Sequence, residues 1–70
     1  MNKTNTKTNT VLELSKLDGS SMQDELSVLL LSNNVEYLRE LRTEAEEQAL
    51  ANVVDEISLF IYNYLHPELY

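Results

Sequence analysis

Ile57-Ser58-Leu59-Phe60-Ile61-Tyr62-Asn63-Tyr64-Leu65 is the stretch whose reading decides the fold. Wound at about 100° per residue, it leaves polar spots only at Ser58 and Asn63, so it forms a helix that is apolar almost all the way round. A cylinder of that kind has to be covered. The turns just before it are one-sided: Leu50, Val53, Val54, Ile57, Phe60, Ile61 and Tyr64 share one sector, and Gln48, Asn52, Asp55 and Glu56 lie opposite. The first set reads as a core or dimer stripe. Leu59 and Tyr62 depart from it, because they project on the side that carries Asn52 and Asp55.

Downstream, Pro67 ends the helix: it lacks the backbone donor and disfavours helical geometry at His66. Upstream, Val35, Leu38 and Leu41 keep helical spacing, and no Gly or Pro interrupts residues 35–65, which predicts one long helix. Thr43 is the place where that rod could break. Arg39 and Arg42 precede it and Glu44, Glu46 and Glu47 follow, the charge order expected where one helix stops and another starts. A threonine is also tolerated inside a helix, so a continuous or gently bent rod is the favoured reading.

Asn33-Asn34 reads as a connector, with Asn33 three residues before Glu36 in a capping arrangement. Before it, Ser21 sits three residues ahead of Asp24 and predicts a helix over about 22–32. Its inward face is Met22, Leu26, Leu29 and Leu30, widened by Val28 and Leu31. Asp18-Gly19-Ser20 is the clearest punctuation, since the single glycine is able to take a positive φ at a helix end or turn. Residues 11–17 stay ambiguous. Thr10 with Glu13 fits a helix start and Val11, Leu14 and Leu17 share a helical face, yet Leu12 and Leu14 alternate as in a strand. Residues 1–10 are an Asn/Thr/Lys run with nothing apolar after Met1 to offset the entropy of ordering, and read as a disordered tail.

The expected architecture is therefore all-α: one small domain over 11–70, with a short helix folded back on a long one through Asn33-Asn34. Seventy residues is one domain at most, and chains of this size bury only about 60% of the surface exposed on unfolding. A single hairpin buries one stripe per helix. Completion as a dimeric four-helix bundle, or by another protein, follows as the expectation, a two-fold dimer being the commonest solution.

Charge separates the partner classes. Residues 1–17 carry three lysines against one glutamate, a net +2, whereas residues 18–70 carry two arginines against eleven acids, a net −9. Nucleic-acid affinity comes mostly from cations laid on phosphates, so an acidic body argues against direct DNA or RNA binding and against anionic membrane surfaces. The apolar runs are far shorter than the roughly 20 residues that span a bilayer. The N-terminus has neither the apolar core of a secretory signal nor an Arg-rich transit pattern, which points to the cytoplasm.

No residue set calls for catalysis or a cofactor. Without cysteine, and with one histidine, a zinc site would need several carboxylates gathered at His66. His66 and Glu68 resemble an acid–base pair, but at a frayed helix end a solvent-exposed capping histidine is the stronger reading. Glu44, Glu46 and Glu47 splay around a helix rather than converging on one cation, and Ser20 and Ser21 lack a base and an oxyanion site. None of them reads as a catalytic or metal site.

What remains is recognition. Leu59 and Tyr62, rimmed by Asp55 and Asn52 and joined by Tyr37 among Glu36 and Glu40, form the candidate patch for a protein partner, one of basic character if the acidic flank contributes. Length, acidity and hairpin pattern are similar to those of several small bacterial classes, among them antitoxins and other inhibitors, secretion chaperones and dimeric regulators, though no diagnostic motif accompanies the likeness. The expectation is a non-enzymatic adaptor or inhibitor-type regulator that self-associates. A self-assembling structural protein and a modified-peptide precursor or carrier are the alternatives.

Overall fold

The computed structural model describes residues 6–67 and contains, among them, four helices and no strand: α1 (Thr6–Leu14), α2 (Gly19–Ser32), α3 (Val35–Glu47) and α4 (Ala51–Leu65). The all-α class agrees with the sequence. The two-helix hairpin does not, because both of its outer parts are further divided or extended.

The long rod is broken, and not at Thr43. Thr43 lies inside α3 with its hydroxyl donating to the Arg39 carbonyl at 3.2 Å. The chain turns at residues 48–50, where Ala49 takes the left-handed conformation with φ of 60°. The Leu50 N–H then donates to the Ala45 carbonyl at 2.9 Å and the Ala49 N–H to the Glu46 carbonyl at 3.1 Å. Those two bonds are the six-to-one and five-to-two pair of a Schellman terminus, and Leu50, half-buried, follows as the apolar residue that such a turn places against the helix it has left. Glycine ordinarily occupies the position of Ala49, so the turn carries no residue that marks it.

Once turned, α4 runs antiparallel to α3. The Arg42 guanidinium donates to Ser58 Oγ at 3.3 Å across this pair. The α2–α3 connector is as short as the sequence suggested, but the cap is one residue later: Asn34 Oδ1 accepts from the Tyr37 N–H at 2.9 Å, and Asn33 ends α2.

The start of α2 is also displaced. Asp18, rather than Ser21, is the N-cap, its Oδ1 accepting from the Ser21 N–H at 2.8 Å. That hydrogen bond, seconded by the Ser21 hydroxyl, holds the Asp18 carboxyl below its ordinary pKa. Gly19 is the first residue of α2 and has no positive φ. What it offers is space, since a Cβ there would stand 3.1 Å from the Glu56 carboxylate.

Residues 6–10, expected in a disordered tail, belong to α1, and the ambiguity over residues 11–17 resolves as the end of that helix and a turn; residues 1–5 lie outside the described part. A helix that opens Thr-Lys-Thr-Asn-Thr has poor intrinsic propensity and stands because α3 supports it. Val11 and Leu14 are fully buried. Along the polar edge, Thr8 Oγ1 donates to Glu44 Oε2 at 2.7 Å, and Lys7 Nζ pairs with Glu40 at 3.3 Å while lying 5.9 Å from the centre of the Tyr37 ring. Thr10, expected to cap, instead bonds back to the Thr6 carbonyl within the helix.

The core takes one stripe from each helix: Val11 and Leu14, Met22 and Leu26, Leu38, Leu41 and Ala45, and Val53, Ile57 and Ile61. Each large member contributes roughly 1.5–3 kcal/mol by leaving water. Leu29, Leu30, Val35, Tyr37, Leu50, Val54 and Phe60 pack around it half-buried. Part of the covering expected from a second chain is thus supplied by α1. Val28 and Leu31, placed inward from the sequence, are exposed, because α2 touches its neighbours along a narrower strip than its apolar residues span.

Candidate functional site

α4 sorts its apolar residues into three groups. Val53, Ile57 and Ile61 face the core; Leu50, Val54 and Phe60 sit at its margin; Tyr64, assigned to the same stripe from sequence, is 52% exposed. The reason is positional. At the last turn of α4, the neighbours are the end of α2 and the start of α3, where Leu30, Leu31, Asn33, Asn34 and Val35 border a shallow hollow instead of a closed wall.

On the outward flank, Leu59 is 49% and Tyr62 53% exposed, and Leu65 adds a third large apolar side chain at 47%. Asp55 lies one helical turn before Leu59 and is exposed. The Tyr62 ring leans on His66 with ring centroids 4.6 Å apart, and the His66 N–H caps the helix on the Tyr62 carbonyl at 3.0 Å. This contact fixes the direction of the tyrosine while leaving half of it in water. Leu65 was legible as part of the apolar cylinder, but its spacing from Tyr62 had not singled it out.

Two residues expected at this patch have other duties. The Asn52 amide donates to the Ser15 carbonyl at 3.2 Å and ties the turn after α1 to the start of α4, so it borders the patch as a positioning residue. Tyr37 is not brought to the patch at all. It lies half-buried on the side of α3 that faces α1, under Lys7, whereas Arg42 marks the side that faces α4.

The carboxylates do not converge. Glu44 accepts from the Thr8 hydroxyl and from the Gln48 amide at 3.0 Å, and these hydrogen bonds, with the charge of Lys7, hold its pKa below the ordinary glutamate value. Glu56 takes the Gln23 amide at 2.8 Å on its carboxylate, and its backbone carbonyl accepts from the same amide at 3.0 Å. Among the described residues no group of three or more His, Asp or Glu side chains is placed to hold a metal ion. No helix there is long and apolar enough to cross a membrane.

Fold and surface together define a small acidic all-helical protein, with four helices among the described residues and apolar residues left on the outside of α4. Compared with known proteins, the chain matches no protein family, no curated sequence and no solved structure.

Proposed function

We propose that this chain is a non-enzymatic protein–protein interaction module, an adaptor or inhibitor-type regulator of the cytoplasm, that binds another protein through the outward flank of α4. The observation that carries this reading is the row Leu59, Tyr62 and Leu65, half-exposed on a helix whose opposite side already fills the core. Large aliphatic and aromatic residues spaced along one helix are what helix-in-groove recognition uses as anchors. The net charge of −7 favours a partner with a basic rim, the charges steering encounter and the apolar burial supplying affinity. The same sign disfavours direct nucleic-acid binding.

The test is affinity capture from the native host with mass-spectrometric identification, comparing the parent with Leu59→Asp and Tyr62→Asp. A partner recovered by the parent and lost by both variants, with the helical circular dichroism retained, is the expected result. Partners retained by both variants would remove the reading.

A further inference from the structure

The surface grooves of this molecule differ in charge. The groove between α1 and α2 is walled in part by Glu13 and Glu25, and the one at the α3–α4 turn by Glu46 and Asp55. The groove between α2 and α4, about 500 Å³, has no carboxylate in its own walls: Ser27, Leu30 and Leu31 come from α2, and Phe60, Asn63 and Tyr64 from α4, and only past Leu31 and Tyr64, in the adjoining hollow, is an acid met, Glu36. Gln23 closes one end, its amide already spent on Glu56. At its lip stands Leu31, 87% exposed and the most solvent-accessible large apolar side chain among the described residues.

We propose that a second copy of this chain docks in the α2–α4 groove, the two copies related by a two-fold axis with Leu31 of each seated against Phe60 and Tyr64 of the other. Two arguments select this occupant. Copies that each carry −7 repel one another, and the repulsion is least where the facing walls hold no acid. A basic partner would gain nothing from an uncharged groove that the acid-rimmed ones do not offer better. The second argument is shape: a projecting leucine and an open apolar groove on one face make that face complementary to itself, which is the requirement of an isologous interface. α2 and α4 run in the same sense, as the pairing of Gln23 with Glu56 and of Leu31 with Tyr64 along the groove shows. Leu31 and its receptor therefore lie at the same end of the molecule, and a two-fold axis passing beside that end brings each knob to the other's groove. This inference does not rest on the partner-binding reading, since Leu59 and Tyr62 occupy the other flank of α4.

Sedimentation equilibrium of the full chain, across roughly 5–500 µM, tests it. A monomer–dimer equilibrium is expected, held or strengthened by added salt because screening relieves the mutual repulsion. Leu31→Asp is expected to weaken it at least tenfold, as is Ser27→Glu, which sits on the groove wall and serves if Leu31→Asp loses helicity. Leu59→Asp is expected to leave it unchanged. A monomer at every concentration overturns the proposal, as does a dimer indifferent to both groove variants, or one abolished by Leu59→Asp instead. A groove shown to hold a different protein while the chain alone stays monomeric overturns it too.

Discussion

The two flanks of α4 have nearly the same composition and opposite fates. Val53, Ile57 and Ile61 are withdrawn from water, while Leu59, Tyr62 and Leu65, on the same helix, stay half in it. Hydrophobicity alone does not assign a residue to the core; the neighbours do. α3 and α2 cover one side of α4, α1 packs chiefly on α3, and among the described residues nothing is left to cover the other side. The described fold closes its core without the outward flank, which is left half-exposed.

The largest expected effect falls on the inner side. Ile57→Ala opens a cavity among fully buried neighbours and should cost about 2–5 kcal/mol, enough to unfold much of a domain whose total stability is of the same order; urea denaturation would show it as a lowered midpoint. Next is the turn that creates the two-sided helix. Ala49 in the left-handed region carries a strain of about 1–2 kcal/mol, partly offset in a glycine variant by the greater freedom of the unfolded chain, so Ala49→Gly should stabilise by roughly 0.5–1 kcal/mol. A destabilised Ala49→Gly variant would mean that α3 and α4 do not fold back as described.

The smallest effect concerns α1. Glu44 has a lowered pKa because the Thr8 hydroxyl, then Gln48, then Lys7 favour its charged form. The stability this lends is present above the ordinary glutamate pKa and lost as pH falls through the lowered value. Amide exchange followed from about pH 7 down to about pH 3 should therefore show α1 loosening before α3 and α4, with Thr8→Val loosening α1 already at neutral pH and shrinking the further change on acidification.

Much of the fold was legible. The helix from Ser58 to Leu65, its end at His66 and Pro67, the Asn33-Asn34 connector and the inner stripe Val53, Ile57, Ile61 follow from period and punctuation. The break at Ala49 was not, because its Schellman geometry is held by backbone bonds and by a residue of high helix propensity, while the charge order pointed to Thr43. α1 was hidden for a related reason: its threonines and asparagine argue against a helix locally, and only the docking of Val11 and Leu14, with Thr8 and Lys7 on Glu44 and Glu40, overrides them. At the candidate patch, the exposure of Leu59 and Tyr62 came from counting sectors on one helix. The diversion of Tyr37 to α1 and of Asn52 to Ser15 depended on a helix that the sequence had not disclosed.

The claim that the outward flank of α4 is spare to the fold is tested most directly by the unfolding free energy of the double variant Leu59→Asp with Tyr62→Asp. A value within about 1 kcal/mol of the parent is the predicted result, since substitutions away from core, cap and strained positions change stability little. A loss approaching that of Ile57→Ala would contradict it, placing both side chains among the residues that hold the bundle together.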